Sequence, residues 1–365
     1  ATTWSNLWAP ASGVTTCKLW EVHRGKNWMV PKDSSTVYYA PSDSLDFTAA
    51  GNGSIIVGDP SEGFITGLHS HLGVLLVFKE RSIHVLSGAT ASEFAVAPLV
   101  VGLGALTDET IRTVHGLTGT DVFFASDRGV HSLQATDAFG DFRASFVSQK
   151  IQTTWNGLKK NRLNKMSAVF NPTIGEYWLS VTSGGQTAND RILAFNTVSG
   201  NWVIHSGINA FAIGNRQDST GELEIYHGDF GGLVYEHGQG LNDNSAAYTS
   251  IIRTGWMHFG RPDLKKSLHS MTLFYEPKGN FDLSIEYVVD NKFVETLTST
   301  MGGVGAVLGS FTLGTSKLSS SGTVGNAKLN LKQGGNFIQF SFYNSTADKD
   351  FRLYGFALEY TVEDK

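Results

Sequence analysis

The chain has 365 residues, 41% hydrophobic and 17% charged, a balance that describes a well-folded protein and excludes intrinsic disorder. A formal charge of −5 excludes a protein whose main work is gripping nucleic acid through a broad basic surface, while leaving room for a smooth acidic channel through which DNA slides without sticking. The one cysteine, Cys17, excludes an intramolecular disulfide; folding in a reducing cytoplasm is the simple reading, and Cys17 is expected to be a buried small hydrophobe.

The N-terminal stretch ATTWSNLWAPASG lacks both the basic start and the apolar core of a signal peptide. The sequence does not begin with Met, so it is read as starting inside a longer gene product, which gives that absence little weight. The longest apolar stretches, around Leu72–Phe78 and Pro98–Leu106, fall far short of the ~20 residues that cross a bilayer, so no membrane segment is expected. From Leu75 onward one hairpin is written five times, each copy an apolar strand ending in an aromatic, a polar turn and a second strand. The copies are LLVFKERSIHVL from Leu75, VFFASDRGVHSL from Val122, AVFNPTIGEYWLSV from Ala168, ILAFNTVSGNWVIH from Ile192 and LEIYHGDFGGLVYEH from Leu223. Self-similarity at this scale in an all-β chain points to a β-propeller. Phe78, Phe124 and Phe170 stand 46 residues apart, the length of a four-stranded blade, and are expected at equivalent places in successive blades. Phe195 then falls in the outer hairpin of Phe170's blade, and Tyr226 opens the next. A sandwich or an irregular β-meander is the competing architecture. The 41 glycines cluster between apolar runs, where tight hairpins need positive φ.

Helical periodicity is almost absent. Asp108–Leu117 and Ser148–Leu163 can each hold a short helix, the second with better amphipathic spacing. Near residue 250 the texture changes to longer strands alternating with period two: His269–Leu273–Tyr275, Phe281–Leu283–Ile285–Tyr287, Phe337–Ile338–Phe340–Phe342 and a closing run from Phe351 to Tyr360. Such strands bury one face, as in a β-sandwich. The expected organisation is therefore all-β: a propeller-like domain over 1–250 and a sandwich over 251–365, with Ser299–Gly325, rich in Gly, Ser and Thr, as a long loop.

Chemistry is harder to find. There is no Gly-x-Ser-x-Gly elbow, no His-Glu-x-x-His and no Walker loop, and one Cys rules out thiolate-rich zinc sites. His69 and His71, at strand spacing, are a pair without an evident third metal ligand. Asp127, Asp141, Glu176, Asp229 and Glu236 are the acids from which a glycosidase pair would have to come, but nothing places two face to face. Ser126–Asp127–Arg128–Gly129 starts like a sialidase Asp-box turn, yet Leu133 stands near where the closing aromatic belongs. Asn242–Asp243–Asn244 offers oxygen ligands without the spacing of a calcium loop. Lys159, Lys160, Arg162 and Lys165 form the dense basic run, suited to a phosphate, a subunit contact or plain solvation. Trp155, Trp178 and Trp202 are candidate sugar platforms, with core packing as the competing role. No catalytic residue, metal or cofactor is assigned.

Val22–His23–Arg24 with Trp28–Met29–Val30, then Val37–Tyr38–Tyr39–Ala40 and Leu45–Asp46–Phe47, resembles the opening of bacteriophage virion propeller proteins. The resemblance continues through Ile65–Thr66–Gly67–Leu68, the run from Leu75 to Ile83, Leu86–Ser87–Gly88, Phe123–Phe124–Ala125–Ser126 with Gly129–Val130, and Phe195–Asn196 with Gly200–Asn201–Trp202. Trp256, Phe259–Gly260, Lys265–Lys266 and Phe351–Arg352–Leu353–Tyr354–Gly355 resemble the sandwich that follows such propellers. The family is that of the tail hub, nozzle or head-completion proteins of tailed phages, short-tailed ones above all. The resemblance implies a non-enzymatic structural component of the virion, assembled in the host cytoplasm. Its partners would be portal, adaptor or tail proteins, and it would form a homo-oligomeric ring through which double-stranded DNA passes transiently. A carbohydrate-binding propeller with a lectin-like sandwich, and a glycoside hydrolase, are the alternatives.

Overall fold

A computed structural model describes residues 14, 16–41, 43–48, 52–116, 119–133, 145–276, 281–301 and 324–363. The chain divides into two units, Ala1–Gly238 and Gln239–Lys365. The division falls earlier than the change of texture near 250, because the segment after Gly238 belongs with the strand it leads into. Among the described residues no helix is long and apolar enough to cross a membrane.

The first unit is a run of antiparallel meanders, each completed before the next begins. The first sheet holds β1 (Cys17–His23), β2 (Lys26–Pro31), β3 (Thr36–Pro41) and β4 (Gly53–Ile56). The second holds β5 (Ile65–His71), β6 (Val74–Lys79), β7 (Ser82–Ser87) and β8 (Ala95–Val101). The third holds β9 (Arg112–Gly116), β10 (Gly119–Ala125), β11 (Val130–Ser132) and β12 (Ser145–Phe146). The fourth holds β13 (Ser167–Asn171), β14 (Glu176–Val181), β15 (Arg191–Asn196) and β16 (Asn201–Ser206), and the fifth β17 (Ala212–Gln217), β18 (Leu223–Gly228) and β19 (Val234–Glu236). First strands pack on one another, β1 on β5, β9 on β13 and β13 on β17. This is the blade order of a β-propeller.

Strand alternation explains the cores. Successive residues point to opposite faces of a sheet, so each blade divides its apolar residues between two neighbours. Leu75 and Val77 join Leu19, Trp28 and Val37 of the first sheet, while Leu76 and Phe78 join Ile111, Val122 and Phe124 of the third. Phe123 and Ala125 face Ala168, Phe170, Tyr177 and Leu193 of the fourth; Val169 and Ile192 face Ile213 and Ile225 of the fifth. Burying each such side chain contributes about 1.5–3 kcal/mol as an upper estimate.

The 46-residue spacing misplaces one marker. Phe78 and Phe124 both lie on the second strand of a blade, but Phe170 lies on a first strand. The connection 147–166 carries extra residues that shift the frame, and any adjacent strand pair in a meander reads as the same hairpin. Phe195 is in the third strand of its blade, and Tyr226 in the second strand, not the first, of the fifth. Asp108–Thr110 is a single 3-10 turn that gives way to β9, where β-branched Thr113 and Val114 suit a strand better than the expected helix. The segment Ser148–Leu163 is helical in pieces: 3-10 turns at Val147–Ile151 and Lys160–Lys165 flank one α-helical turn, α1 (Gln152–Asn156). Cys17 is exposed at the head of β1, not buried.

The second unit pairs two sheets, β20 (Ser250–Arg253), β25 (Ile338–Asn344), β22 (Asp282–Val289) and β23 (Phe293–Thr300) in one, and β24 (Gly325–Asn330), β21 (Lys266–Glu276) and β26 (Arg352–Val362) in the other. Leu283, Ile285, Tyr287, Phe340 and Phe342 meet Leu268, Met271, Leu273 and Tyr275 in one core, as a sandwich requires. Exceptions to the expected alternation are His269, exposed at an irregularity in the pairing of β21 with β26 between Leu268 and Ser270, and Phe337 and Tyr360, which are also exposed. Most of the expected loop, residues 302–323, lies outside the described residues.

Candidate functional site

Polar side chains on the first two strands and the turns beside them tie each blade to the next. His23 Nδ1 lies 2.7 Å from Ser70 Oγ, and His69 Nε2 lies 2.8 Å from Thr113 Oγ1. Thr66 Oγ1 donates to Ala105 O (2.7 Å), and Leu68 N donates to Asp108 Oδ1 (3.0 Å). Arg112 Nε donates to Ala168 O (2.8 Å) and Tyr177 OH to Thr110 O (2.8 Å). Ser180 Oγ donates to Ala210 O (2.6 Å), and Asn215 Nδ2 to Phe170 O (3.4 Å). Side chain to backbone bonds of this kind satisfy buried groups and fix the angle between blades. Burial drives His69 down to about 4, helped by His71 and Arg112, and lifts Asp108 to about 6 against the Leu68 N–H. His69 and His71 stack at 6.4 Å, and among the described residues no group of three His, Cys, Asp or Glu is placed to hold a metal ion.

A second imidazole group sits where the fourth and fifth blades meet. His227 Nδ1 and His237 Nε2 are 2.8 Å apart, Trp178 lies edge-on to His237 at 5.1 Å and 5.7 Å from His205, and Tyr235 stacks on His227 at 5.0 Å. The hydrogen bond between two rings requires one donor and one acceptor, so it survives with at most three protons between them. Burial, then His227 and His205, bring His237 down to about 4. A depressed histidine contributes stability that is full above its unfolded value near 6.5 and is lost as pH falls toward 4. His69 adds in the same direction, and Asp108, raised to about 6, acts in the opposite one over part of the window. Two histidines against one carboxyl predict a first unit that weakens on acidification from about pH 6.5 to 4. His237→Phe is expected to flatten that slope in urea titrations at several pH values, and an unchanged slope would contradict the assignment.

The candidate acids are dispersed. Asp127 is exposed in the β10–β11 turn, whose shape comes from Ser126: its N–H donates to Gly129 O (2.8 Å) and its Oγ accepts from Arg128 N (3.0 Å). Glu176 accepts from Trp178 Nε1 (2.8 Å), and Asp229 closes its own turn by accepting from Leu233 N (2.8 Å). Asp141 lies outside the described residues. Asn242–Asp243–Asn244 forms a tight turn in which Ser245 N donates to Asn242 Oδ1 and Asp243 pairs with Ala246. One pair of acids is brought together that sequence inspection passes over: Tyr226 OH reaches Glu224 (2.5 Å) and Glu236 (3.3 Å), and Glu224 above all raises this phenol to about 12. The signal was there in the alternation of Glu224 and Tyr226 on one strand face, but Glu236 joins them only through the register of β18 with β19. The three tryptophans are not open platforms. Trp155 is fully buried, and half-buried Trp178 and Trp202 bond through Nε1 to Glu176 and to Val147 O.

The basic run lies on the connection between the third and fourth blades. Trp155 Nε1 donates to Asp127 O (3.3 Å), and Lys159 N donates to Thr182 O (2.9 Å), which holds the segment against the β10–β11 and β14–β15 turns. A cavity of about 570 Å³ on one side is lined by Thr153, Thr154, Gly157, Ser183, Gly185 and Arg191 among others. Another of about 510 Å³ is lined by Leu106, Asp127, Lys160, Asn161, Leu163 and Asn164.

No protein-family model matches the chain, and no curated protein sequence does. Among solved structures it is similar to an exo-β-1,3-galactanase from Phanerochaete chrysosporium with galactose, at 12% identity over 98% of each chain and a TM-score of 0.33. It is also similar to PorZ, a surface component of the type-IX secretion system of Porphyromonas gingivalis, at 11% identity over 82% of this chain and 46% of that one, with a TM-score of 0.39. A family 43 arabinoxylan arabinofuranohydrolase from Bacillus subtilis in complex with cellotetraose gives 10% identity over 94% of each chain and a TM-score of 0.29. Likeness at this level carries no activity over to this chain.

Proposed function

We propose that the chain is a non-enzymatic structural component of a tailed-phage virion, part of the head-to-tail or tail-tube assembly around the DNA exit path, working as a homo-oligomeric ring among portal, adaptor or tail proteins. The resemblance in sequence motivates this reading, and one observation carries it. Each of the four interfaces between successive blades has its own apolar core, whereas the outer face of the last blade is open and that of the first is covered only in part, by a small cluster of Met29, Ala40 and Phe47. On the first blade Trp20, Val22 and Ile56 are exposed on the face opposite its core; on the fifth, Ala212, Gly214, Arg216 and Val234 are. A Cβ at Gly214 or Gly228 would meet nothing, so this second face is flat and open. The two faces differ, and unlike faces meeting head to tail close a ring when the rotation between copies allows it. Trp20→Glu combined with Val22→Glu is expected to abolish the assembled species in sedimentation velocity while leaving the circular dichroism spectrum intact. Assembly that persists in this folded variant would contradict the assignment of the face.

A second reading, glycan binding or hydrolysis, is favoured by the Glu224–Tyr226–Glu236 group, since retaining glycosidases work with two carboxylates about 5 Å apart. Both acids stand on an open sheet face, and Glu236→Gln would have to abolish turnover of a glycan substrate for that reading to hold.

A further inference from the structure

We propose that the connection between the third and fourth blades is a binding surface for the phosphodiester backbone of duplex DNA, formed by Lys159, Lys160, Arg162 and Lys165 with Arg128 and Arg191 beside them. The choice of polyanion rests on the virion reading; the cationic surface itself rests on geometry. In a chain of net charge −5, these six cations stand, among the described residues, beside two carboxylates, Asp127 and Asp190. Three cations of the run are held by neutral groups: Lys159 Nζ donates to Gln186 O (2.6 Å), Lys160 Nζ to Trp155 O (3.2 Å) and Arg162 Nε to Thr182 Oγ1 (3.3 Å), while the fourth, Lys165, is exposed. Among the described residues none of these four forms an ion pair, so their charge is available to a ligand. Carbonyl contacts leave an ammonium two further donors, which a phosphate oxygen accepts.

The cavity beside the run is built of donors. Thr153 and Thr154 bring hydroxyls, Gly184 and Gly185 bring exposed backbone and Arg191 brings a guanidinium, while the Ser183 hydroxyl is already given to Asp190 Oδ2 (2.6 Å). Arg191 Nε is buried without a hydrogen bond, lying 3.4 Å from Asp190 Oδ2 in an ion pair whose direction is wrong for one. A buried donor without an acceptor is uncommon and calls for a partner. Neither cavity is lined by an aromatic side chain, so neither offers the stacking surface that a sugar ring or an unpaired base uses. Phosphate oxygens need what is present, namely Lys, Arg, hydroxyl and backbone N–H donors.

The test is fluorescence anisotropy of a short labelled duplex of arbitrary sequence with the whole chain across a salt series. Binding is expected to weaken about tenfold or more in Lys159→Gln/Lys160→Gln/Lys165→Gln at moderate salt. The slope of log affinity against log salt should fall by about 0.9 for each phosphate that is no longer neutralised. Arg128→Gln/Arg191→Gln is a second, separate route to the same loss should the triple variant fail to fold, and Lys32→Gln/Lys292→Gln, away from the segment, should leave affinity unchanged. No binding by the native chain, equal binding by both folded variants, or capture of heparin that duplex DNA fails to compete would each overturn the inference. Light scattering on the same samples separates the two claims. Rings without DNA affinity refute this surface and spare the virion reading, and DNA affinity in a protein that never assembles does the reverse.

Discussion

Trp155→Ala is expected to destabilise the first unit by about 3–5 kcal/mol, the usual cost of removing a fully buried Trp. The indole lies in the core shared by the third and fourth blades, among Ala125, Leu158, Leu163, Leu179 and Val181. It also donates through Nε1 to Asp127 O. Both the cavity left behind and the orphaned carbonyl add to the loss. Trp155→Phe keeps most of the apolar contact and gives up the hydrogen bond, so it should cost about 1–2 kcal/mol. Equilibrium urea unfolding reads both. A loss below about 1 kcal/mol for the alanine variant would mean that the connection 147–166 does not plug the interface between these blades.

Lys79→Met is expected to cost about 2–4 kcal/mol, because it removes a fully buried ammonium and leaves two carbonyls without their donor and a half-buried carboxylate without its cation. Lys79 is fully buried, donates to Val57 O (3.0 Å) and Asp59 O (2.7 Å), and stands 3.3 Å from Glu62 Oε2. Glu62 also meets His84 Nε2 at 3.0 Å. The turn that brings these groups together depends on Gly58 at φ +63°, where a Cβ would clash with Glu62 Oε2. Methionine fills the space but leaves two carbonyls unpaired and the carboxylate without its cation. Burial pushes the Glu62 carboxyl up, yet the hydrogen bonds from His84, Ser82 and Lys79 outweigh it, so the group sits below its ordinary value. A depressed carboxyl contributes stability above its unfolded value near 4.5 and loses it as pH falls through the folded one. The native chain should therefore lose more stability than the variant below about pH 4.5. Equal losses would place the stabilising role of Lys79 in its carbonyl contacts alone.

Much of the architecture was legible because it rests on period-two alternation. The doublet Phe123–Phe124 divides between two cores, and Leu283, Ile285 and Tyr287 all point into a third, as their spacing says. What failed were readings that needed more than local pattern. Phe170 missed its equivalent strand because the connection 147–166 adds residues that no hairpin signature marks. Asp108–Leu117 looked helical because one acidic turn precedes it, while β-branched residues and pairing with β10 drew Arg112–Gly116 into a strand. Cys17 is exposed because it stands beside the register shift at the start of β1, outside the apolar alternation. The histidine cluster at the last interface was not legible, and of the Tyr226 group only the alternation of Glu224 and Tyr226 was. Both are completed by strand register and blade packing, which bring in residues distant in sequence such as Glu236 and His237.

The basic run illustrates the same limit from the other side. Its charge is plain in the sequence, but whether four cations are spent on neighbouring acids depends on what surrounds them. Here three of them bond to carbonyls and a hydroxyl instead, and Lys165 is exposed. That difference separates a solvated loop from a surface that has charge left for a ligand.

The most direct measurement of the central claim is the mass of the purified chain in solution, alone and with candidate portal or tail proteins, by light scattering backed by electron microscopy. Closed rings, formed by the chain itself or on adding a virion partner, are the predicted result. A monomer that stays a monomer with every such partner would contradict the account and leave the residues exposed on the outer faces of the first and last blades without a role in assembly.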